Sequence, residues 1–252
     1  MAEGAEIHRF FDRLVLLSNS VPKSGSTLLF AMQQGFLLSL CGKTRADYSA
    51  FTRAGIQIDH GYLAKPQSRA FLDLIADPAL TGGPYVIKTH ALLDADLRQV
   101  FLRADNVFAS TAIRDPLEIY FSARDNFRKT GEFPEFATVM RGCDTVNGHF
   151  ANIVRAARNT SRDKTVNLVR YDQILSDPVG ALLASLHDRI KDQALRKMAG
   201  DHLDLGRAAL TAGNRRNLGL ADRRSRDAAD PEFSLAFQSL AATRQEFGYG
   251  PD

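Results

Sequence analysis

Residues 21–29 read Val-Pro-Lys-Ser-Gly-Ser-Thr-Leu-Leu and follow directly on the apolar run of residues 14–17. The apolar run predicts a buried β-strand, and the residues from Ser26 onward predict a helix. A loop of small polar residues between a strand and a helix directs backbone N–H groups at an anion, and the helix N-terminus adds positive potential. The segment therefore predicts a phosphate-binding loop formed by Lys23, Ser24, Gly25, Ser26 and Thr27.

The order of residues in this loop differs from the Walker A motif. That motif, G-x-x-x-x-G-K-[ST], places its lysine after the last glycine and its hydroxyl on Mg²⁺. Here Lys23 precedes Gly25, the only glycine of the loop. A P-loop nucleotide kinase or NTPase is therefore the less favoured alternative. A nucleotide-binding module without catalytic activity is a further alternative.

A second strand-to-helix junction carries an arginine and a serine. Residues 106–113 are rich in apolar and β-branched types and predict a buried strand, and Pro116 suits the first turn of a helix. Arg114 follows the strand, and Ser122 lies about two turns along the helix. Because a guanidinium is a planar fork that matches phosphate oxygens, Arg114 and Ser122 predict a second phosphate site.

A third segment, residues 85–90, reads Tyr-Val-Ile-Lys-Thr-His and predicts a short strand that ends in polar side chains. Histidine titrates near neutral pH and often transfers protons in catalysis. His90, which follows Lys88 and Thr89, is therefore our candidate for a general base. A histidine that only packs is the alternative.

These three segments resemble the sulfotransferases that use 3′-phosphoadenosine 5′-phosphosulfate (PAPS) as donor. Pro-Lys-Ser-Gly-Ser-Thr resembles their 5′-phosphosulfate loop, Arg-Asp-Pro with Ser122 resembles their 3′-phosphate site, and Lys-Thr-His resembles the catalytic strand of the cytosolic type. The resemblance implies sulfuryl transfer to a hydroxyl or amine of a small-molecule acceptor. It implies that His90 is the general base and that Lys23 and Lys88 assist the transfer. Since PAPS is already activated, it implies no metal ion.

Two further segments resemble this family more loosely. Residues 169–178 contain Tyr171, whose counterpart lies near the adenine; here Tyr171 stacks on the base, forms a hydrogen bond or only packs. Residues 214–219 contain Arg215 and Arg216 and resemble the loop that closes over the 3′-phosphate, with a solvated loop as the alternative. The chain has no tryptophan to stack on adenine, and Leu28 takes that position.

The composition is that of an ordinary globular protein. The 252 residues are 44% hydrophobic and 24% charged, which suits one domain over residues 1–252. A net charge of +3 suits an anionic nucleotide and does not require nucleic acid. The two cysteines predict neither disulfides nor a metal site, and residues 1–13 have no signal-peptide core. We expect a cytoplasmic protein without a membrane partner, and its oligomeric state is open.

Predicted strands alternate with predicted helices, which indicates an α/β domain with a central parallel sheet flanked by helices. The family resemblance implies a P-loop-like sulfotransferase fold. The strands are expected over residues 14–20, 84–89, 106–113 and 165–170, and the helices over residues 26–41, 67–77, 92–104, 116–129, 134–159, 178–190 and 232–247. The candidate segments thus follow strand ends, where such sheets bind ligands. Residues 43–83 match no motif, and we expect acceptor recognition there.

Overall fold

Four parallel strands form a central sheet with the order β2-β1-β3-β4. They are β1 (Val15–Ser20), β2 (Tyr85–Thr89), β3 (Val107–Ile113) and β4 (Val166–Arg170). The computed structural model describes residues 2–130, 147–148, 151–159, 166–201 and 231–250. The predicted parallel sheet is confirmed, and each strand begins one residue later than predicted and ends at the predicted residue.

Helices pack on the sheet and beyond its carboxyl edge. In chain order they are α1 (Ala2–Arg13), α2 (Ser26–Leu40), α3 (Ser49–Arg53), α4 (Arg69–Ala76), α5 (Ala95–Arg103), α6 (Pro116–Thr130), α7 (residues 151–159), α8 (Tyr171–Ser176), α9 (Pro178–Ser185), α10 (Asp188–Asp201) and α11 (Pro231–Glu246). Of the helix predicted over residues 134–159, the structure describes residues 147–148 and 151–159, which are helical.

The single helix predicted over residues 178–190 is wrong, because two helices meet there. α9 ends at Ser185, and the next residue, Leu186, is extended (φ −91°, ψ 137°) with its side chain fully buried. The ring Nδ1 of His187 then accepts a hydrogen bond from Arg189 N (3.1 Å) and so caps the start of α10. Because Leu186 is buried and apolar, the apolar pattern of the sequence continues through the break and does not indicate it.

The two central strands, β1 and β3, are buried along their whole length, as expected for parallel strands covered on both faces. On one face, α2, α9 and α10 pack against the side chains of Leu16, Val86, Phe108 and Val169. On the other face, α3, α4 and α5 pack against Leu17, Ile87, Ala109 and Val166. A third cluster lies beyond the strand ends, where Val21 and Ile113 contact α6, α7 and α11.

The apolar helix expected after the loop is confirmed as α2, and one polar residue sets its position. Gln33 is fully buried, and its Nε2 donates to the hydroxyls of Ser110 on β3 (2.7 Å) and Ser185 on α9 (2.9 Å). Buried amide groups are stabilising only when such partners are present. Gln33 therefore fixes α2 against β3 and α9, and with it the loop that precedes α2.

The strand order creates a crevice at the carboxyl end of β1. The next strand in sequence, β2, lies on one side of β1, and β3 lies on the other side. The connections consequently diverge at the end of β1, and α/β sheets bind ligands in the crevice that results. The loop of residues 21–25 begins at this point.

A buried ion pair joins α11 to the start of α6. Arg244 donates from Nε to Oδ1 of Asp115 (3.0 Å) and from Nη2 to Oδ2 (2.9 Å), and both side chains are at most 6% exposed. Asp115 Oδ1 also accepts from the backbone N–H of Leu117 (2.9 Å), so the same carboxylate caps α6. The pair therefore fixes the backbone next to Arg114.

We expect the substitution Arg244→Met to lower the free energy of unfolding by about 3–5 kcal/mol, because it leaves the Asp115 carboxylate buried without its cation. Chemical denaturation measures this loss. The control is Arg155→Met, which removes the exposed pair with Glu246 (2.6 Å) and should shift the denaturation midpoint little. Similar midpoints for the two variants would contradict this account of Arg244.

Candidate active site

The loop after β1 contains two residues with positive φ. They are Lys23 (φ 68°) and Gly25 (φ 94°). Between them, Ser24 is fully buried, and its hydroxyl donates to the carbonyl oxygen of Val21 (2.7 Å). Gly25 is the N-cap residue of α2 and supplies no side-chain cap. The first N–H groups of a 15-residue helix are thus donors suited to an anion at the end of β1.

Tyr171 lies directly against this loop. It begins α8 immediately after β4 and is 8% exposed. A Cβ atom built on Gly25 would lie 2.7 Å from Cε2 of Tyr171 and closer still to Cδ2. Only a glycine therefore leaves room for the ring, and the segment after β4 meets the loop after β1.

Arg114 lies beside both the loop and Tyr171. Its Nε donates to Oε2 of Glu118 (2.8 Å), and its Nη1 donates to the carbonyl oxygen of Lys23 (3.2 Å). Its Cζ lies 4.3 Å from the centroid of the Tyr171 ring, within the range of a cation–π contact. These three groups hold the guanidinium in one place. The residue as a whole is 9% exposed.

Ser122 lies on α6, one turn beyond Glu118, and is half-buried. Residues four apart lie on the same face of a helix. The serine hydroxyl is therefore on the side of α6 that carries the carboxylate bound to Arg114. No hydrogen bond joins Ser122 to Arg114 in the structure, and their pairing at one phosphate stays a prediction.

The end of β2 brings two further predicted residues to the loop. Lys88 Nζ donates to the hydroxyl of Thr27 (2.8 Å), and His90 Nδ1 lies 2.5 Å from the carbonyl oxygen of Ser20. Because a carbonyl oxygen only accepts, Nδ1 must carry the proton of this hydrogen bond. In the neutral ring Nε2 then holds the lone pair, which is the arrangement that a general base needs.

Part of the unmatched segment 43–83 lies along the outer edge of β2. The backbone N–H of Leu63 donates to Lys88 O (2.9 Å), and the N–H of Lys88 donates to Gly61 O (2.7 Å). These bonds place Tyr62 next to the candidate base, with ring centroids 5.5 Å apart and 37% of the tyrosine exposed. An accessible aromatic surface therefore borders His90.

The side chain of Tyr48 packs between this edge segment and β2. Its hydroxyl lies 2.5 Å from Val86 O, to which it donates, and accepts from Gln34 Nε2 (3.1 Å). Burial raises the pKa of Tyr48 to about 12, so the hydroxyl keeps its proton at neutral pH. A Cβ atom on Gly61 would lie 3.2 Å from this hydroxyl, which shows how closely the segment packs on it.

The structure thus brings four predicted segments together at the carboxyl edge of the sheet. The ring of Tyr171 packs against Gly25 and Arg114, and its expected contact with adenine stays a prediction. Arg215 and Arg216 lie outside the described residues. The sequence analysis did not single out Glu118, the residue that binds Arg114 Nε. The available signal was its position four residues after Arg114, in the first turn of the predicted helix.

In the part of the chain that the structure describes, no group of three or more His, Cys, Asp or Glu side chains is placed to hold a metal ion. In the same residues, every helix is too short or too polar to cross a membrane.

Comparison with solved structures identifies proteins of the same fold. Two crystal structures of retinol dehydratase, one with androsterone and the inactive cofactor PAP and one with retinol and PAP, superpose with TM-scores of 0.52 and 0.53 at 13% and 15% sequence identity. Each match covers 94% of this chain and 82% of the other. Mouse sulfotransferase SULT7A1 complexed with PAP gives a TM-score of 0.47 at 14% identity over 96% of this chain and 88% of its own.

No protein-family model matches the sequence, and no curated protein matches it significantly. At 13–15% identity, the likeness to retinol dehydratase shows a shared fold. The predicted α/β fold with a central parallel sheet is thereby confirmed.

The substitution Gly25→Ala tests the packing of Tyr171 on the loop. We expect a larger drop in melting temperature than for Gly42→Ala, because Gly42 also has positive φ (66°) but nothing within 4 Å of an added Cβ. Both variants carry the backbone cost of about 1–2 kcal/mol, and only Gly25→Ala adds a collision with the ring. Equal shifts in thermal denaturation would show that the ring does not occupy this space.

Proposed function

We propose that the protein is a PAPS-dependent sulfotransferase that sulfates a hydroxyl or amine of a small-molecule acceptor. The observation that carries this proposal is the meeting of the Lys23–Thr27 loop, Arg114 and the Lys88–His90 strand end around the crevice at β1. An anion-binding loop, a second guanidinium site and a histidine base are the parts that such a reaction needs.

The donor nucleotide would lie across the end of β1. The N–H groups of Gly25, Ser26 and Thr27, together with Lys23, would bind the 5′-phosphosulfate group. Arg114 and Ser122 would bind the 3′-phosphate, which distinguishes PAPS from ATP. The PAP in the retinol dehydratase structures of this fold supports the same nucleotide class. A Walker A loop would carry lysine after Gly25, where this chain has Ser26.

The residues that line the crevice can carry out an in-line transfer of the sulfuryl group. His90 Nε2 accepts the proton of the acceptor hydroxyl or amine as the acceptor atom forms a bond to sulfur. The bond between sulfur and the 5′-phosphate oxygen breaks, and its electron pair stays on that oxygen. Lys23 and the loop N–H groups stabilise this charge, and Lys88 assists at the sulfuryl oxygens. The products are the sulfated acceptor and PAP.

The acceptor would reach His90 from the side of Tyr62. This ring is the exposed aromatic surface next to the base, and residues 59–63 hold it on the edge of β2. The expected role of the segment 43–83 in acceptor recognition stays a prediction, and the position of Tyr62 supports it.

The substitution His90→Ala tests the general base. We expect turnover to fall by roughly two to four orders of magnitude while PAP affinity is kept, because only the proton acceptor is lost. The assay combines labelled PAPS, a panel of hydroxyl and amine acceptors and mass detection of the sulfated product. The control His8→Ala changes an exposed histidine on α1 and should retain full activity. Full activity in His90→Ala would remove this residue from the mechanism.

The substitution Arg114→Ala tests the 3′-phosphate site. We expect the Kd for PAP to rise about a hundredfold, which corresponds to about 2.7 kcal/mol, because a charge-assisted contact is lost. The Kd for adenosine 5′-phosphate, which has no 3′-phosphate, should change much less. Titration calorimetry measures both constants. An unchanged PAP affinity would mean that the 3′-phosphate binds elsewhere.

A further inference from the structure

Glu118 forms the shortest contact of Arg114 and belongs to none of the sequence motifs. Its Oε2 accepts from Arg114 Nε at 2.8 Å, and the two side chains are 33% and 10% exposed. The other contacts of the guanidinium are the carbonyl oxygen of Lys23 at Nη1 and the ring of Tyr171 on one face. In the part of the chain that the structure describes, Nη2 makes no hydrogen bond to the protein.

These contacts use the Nε hydrogen and one Nη1 hydrogen, and they leave both Nη2 hydrogens and the second Nη1 hydrogen to bind a phosphate. A planar group that is fixed at Nε, at Nη1 and on one face presents its Nη2 hydrogens in a set direction. A long side chain that is held before the ligand arrives loses little further freedom on binding. Lys23 O and Tyr171 belong to the loop side of the crevice, whereas Glu118 lies on α6, so the carboxylate fixes the arginine from the opposite side.

We propose that Glu118 is a positioning residue for nucleotide selection. Its carboxylate holds Arg114 so that Nη2 meets the 3′-phosphate, and the protein thereby prefers 3′,5′-bisphosphorylated adenosine over the 5′-monophosphate. This inference rests on the proposed function, because it assigns the 3′-phosphate to Arg114.

The charge of Glu118 opposes this effect, because a carboxylate repels a phosphate. The repulsion is screened at this partly exposed position, whereas the orientation of Arg114 depends on a direct contact of 2.8 Å. Two substitutions separate the effect of the charge from the effect of the contact with Arg114. Glu118→Gln removes the charge and keeps an oxygen that accepts from Nε, whereas Glu118→Ala removes both.

The experiment measures the Kd values for PAP and adenosine 5′-phosphate by titration calorimetry. We expect Glu118→Ala to raise the Kd for PAP about tenfold and to leave that for adenosine 5′-phosphate within about twofold. Glu118→Gln should stay closer to wild type. The control is Asp73→Ala, which removes an i,i+4 pair of the same type (Arg69 Nε to Asp73 Oδ2, 2.9 Å) on α4. It should change neither constant.

The outcomes distinguish this inference from the proposed function. A wild-type protein that binds both nucleotides equally would overturn the proposed function and the inference with it. A wild-type preference for PAP that Glu118→Ala retains or increases would overturn the inference alone. An equal loss of affinity for both nucleotides in Glu118→Ala would also overturn it, because a general loss of structure has that effect. Melting temperatures of all variants identify such a loss directly.

Discussion

The contact of Tyr171 with Gly25 and Arg114 fixes the positions of the segments that follow β1, β3 and β4 relative to one another. The ring lies in the space that a Gly25 side chain would need and carries the guanidinium on its face. It therefore connects the residues that follow β1, β3 and β4. The ring and the hydrogen bond from Arg114 to Lys23 O set the distance between the Lys23–Thr27 loop and the arginine. In the proposed function, a nucleotide with two phosphate groups needs such a fixed spacing.

The positions of His90 and Lys88 in the crevice depend on the pairing of β1 with β2. β1 and β2 are hydrogen-bonded neighbours, so His90 can donate to Ser20 O and Lys88 can reach Thr27 at the start of α2. The first bond leaves Nε2 as the basic nitrogen of the neutral ring. The second joins Lys88 to Thr27, the last residue of the proposed phosphate-binding loop. Both bonds depend on the parallel register of the two strands.

The sequence predicts the fold, and it places the candidate site residues at strand ends, because both signals are local. Buried strands appear as apolar runs, and the loop, Arg114 and His90 each follow such a run directly. The role of Tyr171 is different. Its contact with Gly25 spans more than 140 residues, and no local pattern distinguishes packing from stacking on a base. The break between α9 and α10 was missed for a similar reason, since the buried Leu186 continues the apolar pattern.

In the proposed function, one nucleotide bridges the loop and Arg114. A crystal structure of the protein with PAP tests it most directly. We expect the 5′-phosphate on the N–H groups of residues 25–27 and the 3′-phosphate on Nη2 of Arg114, with Tyr171 still between Gly25 and the guanidinium. A nucleotide that contacts only one of the two sites, or an Arg114 side chain turned away from the loop, would contradict it.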